Sequence, residues 1–290
     1  MPWLRVAIIL TCLFLSSANA AEFSITPVKD NIFKFSNGTH HAVFVVTDEG
    51  IALTDPLSTE GAKWLKQALN ERFDKPVRYV IYSHNHPDHV YGGEIFAEPG
   101  VTFVAHAWAR DDLLATKADT QIPDLVFNDE MQLFLGDTQI VLRYHGPNNG
   151  KGSISINFPS QRVVHVVDWI VLGRMPYKNL PGYDIRGMIN STRDVLAMDF
   201  DLLVGGHGDI GDKNDVRFYL RYLEQLYAAV LDGMREGKNL KTLQQDIRLD
   251  AFRSLKMYEA WLPLNVEGVY NDLIDQSYLH LRPEVPVSER

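Results

Sequence analysis

Cysteine is nearly absent: the 290 residues contain one, Cys12. It lies in a segment where Arg5 is followed by the apolar run 6–15 and then by Ser-Ser-Ala-Asn-Ala, the succession of a secretory signal cut after Ala20. Leu10 and Thr11, just before Cys12, are not the small residues of a lipoprotein site. With residues 1–20 removed no thiol remains. That excludes disulfides and thiolate ligands, so any bound metal must be held by histidine, carboxylate or amide. Long apolar runs are missing too. Crossing a bilayer takes about 20 apolar residues and the leader run falls short, so no membrane anchoring is expected and the mature chain belongs in the periplasm or outside the cell. Positive charge is scarce: after residue 20, 27 basic residues face 37 acidic ones. A net −10 argues against DNA, RNA and anionic membrane as partners and leaves a small-molecule substrate. Low-complexity segments and long Pro/Gly/Ser linkers are also lacking, which points to a single domain over 21–290.

What is present alternates between two periods. Residues 23–55 read as a meander of strands turned at Asp48-Glu49-Gly50. Helical spacing over 59–73 predicts a helix, and the apolar stretch 77–83 a buried strand. Further strands are expected at 101–106, 131–145, 153–159 and 161–170, and helices at 107–117 and 184–200. A strand over 201–209 precedes long helical stretches at 216–237 and 240–277. Interleaved strands and helices imply sheets covered by helices.

The predicted strand 77–83 runs directly into Ser83-His84-Asn85-His86-Pro87-Asp88-His89. In an extended backbone alternate side chains share a face, so His84 and His86 can reach one ion. Asp88 continues the alternation and His89 turns off it, so this pair can address a second ion nearby. Three histidines within six positions of a chain with ten in all are a metal signature rather than a chance cluster.

With Asp55 ending "IALTDP", Asp168 in "HVVDWI" and His207 in "VGGHGD", the order and spacing from about Phe33 to Asp209 resemble the metallo-β-lactamase superfamily. The resemblance implies an α/β fold, a four-layer αββα sandwich of two mixed β-sheets flanked by helices, with the metal site at one sheet edge. It implies metal ligation by His84, His86, Asp88, His89, Asp168 and His207, with Asp168 between two ions and Asp55 supporting a ligand. The cofactor implied is Zn2+, one or two ions per chain. Asp88 is the expected catalytic residue, positioning a metal-activated water and moving its proton. The resemblance also implies attack on an ester, lactone, thioester or amide bond, β-lactams included.

One position departs from the family pattern. In "YHGPNNGKGSISINFP" the loop places Asn149 where the third histidine of the first metal position belongs. Three readings stay open, in this order: a weakened first position, a weak amide ligand at Asn149, or His145 swinging in. Neutral amide oxygen is a poor zinc ligand beside imidazole. Of the other histidines, His41 of the His40-His41 pair is a candidate substrate contact, His106 a helix-start residue and His165 a strand residue. Lys151 is a candidate partner for a substrate carboxylate. The expected function is a secreted zinc hydrolase. The alternative is a metal-binding or sensing protein in which the departure at Asn149 leaves little or no turnover.

Overall fold

The computed structural model describes residues 23–277, so the expected signal at 1–20, Cys12 and the tail with His280 lie outside the described residues. The chain opens with four antiparallel strands, β1 (Phe23–Lys29), β2 (Ile32–Asn37), β3 (His40–Thr47) and β4 (Gly50–Thr54). Asn37 faces His40 across a two-residue turn whose first residue, Gly38, has φ 59°. Tight hairpins require that positive φ. Thr47 faces Gly50 across Asp48-Glu49, the turn the sequence predicts.

Helix α1 (Thr59–Phe73) coincides with the expected helix 59–73 and is capped by Ser58, whose side chain accepts from the Gly61 amide at 3.0 Å. It leads to β5 (Val77–Ile81), after which α2 (Pro87–Val90) is a single turn. β6 (Thr102–His106), α3 (Ala107–Thr116) and β7 (Leu125–Phe127) follow, and β4 to β7 run parallel. The second sheet joins β8 (Glu130–Leu135), β9 (Thr138–Tyr144), β10 (Ile154–Phe158) and β11 (Val163–Val166) antiparallel. After α4 (Ile185–Ala197), β12 (Leu202–Gly205) adds parallel to β11. The result is a seven-stranded and a five-stranded sheet, both mixed.

Alternation along the strands sorts the apolar residues into three cores. Val43, Val45, Ile140, Leu142, Ile156, Val163 and Val204 meet between the sheets. Their neighbours Ala42 and Phe44 face α1 with Leu65 and Leu69, while Val164 and Leu203 face the C-terminal helices. Each fully buried large aliphatic contributes about 1.5–3 kcal/mol, so three such layers define an αββα sandwich.

The C-terminal segment departs from expectation. α5 (Lys213–Arg235) holds, but the helical stretch expected over 240–277 breaks into α6 (Leu240–Asp246) and α7 (Tyr258–Ser277). Between them Ile247, Leu249, Phe252 and Leu255 are all buried, at spacings no single helix face can present. β7, three residues long, is absent from the sequence expectation because so short a strand carries too little alternation to read.

The loop before β10 is pinned to the start of α4. The Asp184 amide donates to the Asn148 carbonyl at 2.8 Å, and Asn148 Nδ2 donates to Ser191 Oγ at 3.1 Å. At Gly187 an added Cβ would overlap the Pro147 carbonyl oxygen. Alanine normally favours a helix over glycine by about 1 kcal/mol. Here Gly187→Ala is expected to lower stability by about 1–3 kcal/mol instead, read as a drop in the urea midpoint at unchanged slope.

Candidate metal centre

Strand ends meet at one edge of the stacked sheets. Asp55 follows β4, His84 lies three residues beyond β5, and Asp168 and His207 each lie two residues beyond β11 and β12. Two backbone hydrogen bonds tie the sheets at this edge, from His41 N to the Gly206 carbonyl at 2.8 Å and from Ile154 N to the Ser83 carbonyl at 2.9 Å. Asp55 (φ 30°) and Asp168 (φ 70°) turn the chain through positive φ, which aspartate accepts more readily than most residues.

The Asp168 carboxylate joins two sets of groups. Its Oδ2 lies 3.2 Å from His84 Nε2 and 3.3 Å from His86 Nδ1, and accepts from Asn149 Nδ2 at 2.6 Å. Its Oδ1 lies 3.0 Å from His207 Nε2 and 3.7 Å from His89 Nε2. Asp88 Oδ2 closes this second set, 3.3 Å from His207 Nε2 and 3.7 Å from His89 Nε2, and the two imidazole nitrogens are 2.9 Å apart. Tetrahedral zinc with nitrogen and oxygen ligands at about 2.0–2.1 Å needs ligand atoms about 3.3–3.4 Å from one another. The separations made by His89 and His207 in the second set, 2.9–3.7 Å, bracket that figure. His84 Nε2, Asp168 Oδ1 and Asn149 Oδ1 are buried without a directed hydrogen bond. Such orphans cost about 1–3 kcal/mol each, and a cation would satisfy their lone pairs. The donor set therefore fits divalent metal.

Charge in the cluster is strongly redistributed. Burial works to raise the Asp168 pKa, but His207, His84 and His86 outweigh it and hold the carboxyl well below its usual range. Asp88 is likewise held low by His207 and His40 against its own burial. Burial opposes charge on His207 as well, yet Asp168 and Asp88 raise its pKa to about 9. His89 is raised by Asp55 and Asp168 against burial, whereas burial lowers His84. Asp55 accepts from the Ser83 amide at 2.8 Å through Oδ1 and faces His89 Nδ1 at 3.5 Å through Oδ2, the orienting place expected of it.

All six expected ligand residues and Asn149 thus come together. His145 does not: its Nε2 is paired with Ser155 Oγ at 2.8 Å and its Nδ1 lies 3.6 Å from Asp194, while burial lowers its pKa to about 4. His41 is turned away, Nδ1 to Ser36 Oγ at 3.0 Å, and burial lowers its pKa to about 4. The residue that reaches the cluster is His40, with Nε2 3.4 Å from Asp88 Oδ2 and its ring 4.6 Å from that of His207. Strand alternation carried the signal, since His41 shares parity with Val43 and Val45, which face the other sheet. Lys151 sits 5.9 Å from the Trp108 ring centroid, and His106 caps α3 by accepting from the Trp108 amide at 3.2 Å. A cavity of about 470 Å³ opens over the cluster, lined by His40, His86, Asp88, Asp168 and His207 and also by Arg174, Tyr177 and Tyr183.

Residues 36–207 match the family model described as Metallo-beta-lactamase superfamily. Over 218 residues the chain is 26% identical to the 2,4-dinitroanisole O-demethylase subunit alpha of Nocardioides sp. (strain JS1661), covering 74% of this chain and 66% of that one. Over 176 residues it is 27% identical to a metallo-beta-lactamase type 2 of Bacillus sp. (strain 170), covering 58% and 66%. The matches span just under two thirds of these relatives' length. Among solved structures, a stereoselective inverting sec-alkylsulfatase from Pseudomonas sp. superposes with TM-score 0.72 at 16% identity, over 90% of this chain and 51% of that one. A metallo-beta-lactamase from Pontibacter korlensis gives TM-score 0.62 at 20% identity, over 70% and 99%. At these identities the structural likeness concerns the fold.

The raised histidines set a proton cost on metal loading. His207, with a pKa of about 9 in the metal-free cluster, is protonated near neutral pH and must lose that proton to offer Nε2 to an ion. Zinc added to chelator-stripped protein at about pH 7.5 in dilute buffer is expected to release at least about one proton per chain, and markedly less at about pH 10. Indicator-dye titration reads it, and equal release at both pH values contradicts the assignment.

Proposed function

The chain belongs to the metallo-beta-lactamase superfamily, and from that premise we propose that it is a zinc-dependent hydrolase acting on an ester, lactone, thioester or amide bond of a small molecule. The observation that carries this reading is the convergence of His89 Nε2, His207 Nε2, Asp88 Oδ2 and Asp168 Oδ1, with Asp88, Asp168 and His207 lining an open cavity. These four would hold one ion. His84, His86 and the weaker Asn149 would hold the other, with Asp168 between the two positions and His40 as an added imidazole beside Asp88. The leader-like residues 1–20 support export.

Ions held there would lower the pKa of water toward neutrality and stabilise negative charge developing on the attacked group. The remaining work falls to the chain. Asp88 is far less buried than Asp168, its side chain 45% exposed against 6%, and it lines the cavity. It is the group placed to take the proton at Oδ2 and deliver it to the leaving group. Asp168, ionised and enclosed, would reduce the repulsion between ions held at the two positions. Asp55 keeps His89 oriented through Nδ1. The relatives include an O-demethylase subunit, a β-lactamase and an alkylsulfatase, so the bond cleaved is set by the cavity walls more than by the fold.

A metal-binding or sensing role without turnover is the second reading, and the bond from Asn149 Nδ2 to Asp168 Oδ2 favours it, because an amide N–H there takes up part of the negative charge of the carboxylate beside the first position. Asp88→Asn separates the readings: for the hydrolase it lowers kcat by about 10²–10⁴ on whichever ester, lactone or β-lactam is turned over. Absence of turnover across such a panel, with one retained ion per chain by plasma mass spectrometry, sinks the hydrolase. Asn149→His, which supplies a third imidazole, is expected to raise the metal retained after dialysis toward two ions per chain. Unchanged retention would mean that the amide already completes the position.

A further inference from the structure

The tip of the β2–β3 hairpin brings one more imidazole to the cluster. Three ring nitrogens face a single oxygen, Asp88 Oδ2: Nε2 of His207 at 3.3 Å, of His40 at 3.4 Å and of His89 at 3.7 Å. The His40 side chain is 35% exposed and lines the cavity, so an ion entering from solvent can reach it. Its ring is centred 4.6 Å from that of His207 and 6.2 Å from that of His89, and the rings of His89 and His207 are 4.9 Å apart.

Those three separations are the ones that a shared ion sets. A nitrogen about 2.0–2.1 Å from zinc puts the centre of its imidazole ring about 3.2 Å from the ion. Two rings bound at right angles are then about 4.5 Å apart, two opposed rings about 6.4 Å, and two rings of a tetrahedral set about 5.2 Å. Both separations from His207 lie nearer the right-angled figure, and that between His40 and His89 approaches the opposed one. A triangle with these sides has a circumradius of about 3.1 Å, so one ion can stand at bonding distance from all three rings. Right-angled and opposed spacings belong to coordination above four.

The cavity lining is held in place by the protein itself. At the hairpin, Asn37 Nδ2 donates to Ser58 Oγ at 3.0 Å, and the His41 amide, bonded to the Gly206 carbonyl, ties β3 beside His207. Elsewhere in the lining, Met175 N donates to the Lys256 carbonyl at 3.1 Å and Lys256 N to the Gly173 carbonyl at 3.0 Å. Asn265 Nδ2 on α7 bonds the carbonyls of Pro176 and Lys178, and the Arg174 guanidinium lies 5.3 Å from the Trp261 ring centroid. A ligand presented from so fixed a frame needs little reorganisation to bind.

We propose that His40 is a metal ligand, the third imidazole of a five-donor set with His89, His207, Asp88 and Asp168. The second position is then completed by the N-terminal hairpin, and its ion takes more than four ligands. The inference rests on the metal-centre part of the hydrolase reading and not on turnover.

Cobalt(II) tests it on the whole chain, since an imidazole-rich site takes other first-row ions as well as zinc. Bound cobalt(II) moves the ring protons of its imidazole ligands far outside the usual proton NMR range. With one equivalent added to chelator-stripped protein, the ring signals of three imidazoles are expected there, of two in His40→Gln, and of three in His41→Gln. Competition with a chelating dye is expected to show cobalt bound about tenfold or more weakly in His40→Gln, at least the loss that follows removal of a ligand's outer partner. The wild-type count needs no variant, and two rings overturn the assignment by themselves. Signals and affinity unchanged in His40→Gln overturn it as well, leaving His40 a support for Asp88 or the ion at His84 and His86. A wild type that takes up no cobalt overturns both the assignment and the metal-centre reading. Three imidazole signals without turnover of any ester, lactone or β-lactam leave His40 a ligand while the hydrolase reading fails.

Discussion

An ionised carboxylate taken almost wholly out of water has to be compensated from every side, and in this molecule that carboxylate is Asp168. Its side chain is 6% exposed, and the groups that hold it ionised come from β12's extension (His207), β5's extension (His84, His86) and the loop before β10 (Asn149). Removing compensation from a buried charge costs several kcal/mol, so these segments cannot drift apart independently. Their supports repeat the theme one layer out. Ser83 Oγ pairs with His84 Nδ1 at 2.9 Å, and Asp55 faces His89 from behind. The pair of backbone hydrogen bonds joining the sheets at this edge places the charge network where the two halves of the sandwich are already tied.

Residues 83–89 and their distant companions were legible because each follows a strand with a strong local signal. Once strands 77–81, 163–166 and 202–205 are placed, their carboxyl ends deliver His84, Asp168 and His207 to one edge. His40 was harder. The choice between it and His41 depends on the register of β3, where one residue of slip reverses the face. Arg174 could not be singled out by spacing at all, because its contact with Trp261, 87 residues later, is tertiary. The break between α6 and α7 was hidden for a related reason: its apolar residues satisfy tertiary burial, and the helical period does not record that.

The two halves of the cluster differ in a way that composition does not reveal. Around Oδ1 of Asp168 the neighbours are two imidazole nitrogens that also face the Asp88 carboxylate; around Oδ2 they are two imidazole nitrogens and an amide N–H. An amide donates where a third imidazole would accept a cation, so the Oδ2 side already has part of its negative charge met by the protein. On the proposed reading this makes the two positions unequal in affinity, with His40 adding to the richer one.

The interlacing of Lys256 with Gly173 and Met175 has a bearing on how such proteins diversify. The matched family segment ends at His207, whereas Lys256, Trp261 and Asn265 lie beyond it and build the back of the wall that carries Arg174. The clustered histidines and aspartates and the back of that wall thus come from different stretches of polypeptide. A lineage could exchange or remodel its C-terminal helices, and with them one side of the cavity, while the histidines and aspartates of the cluster stay untouched.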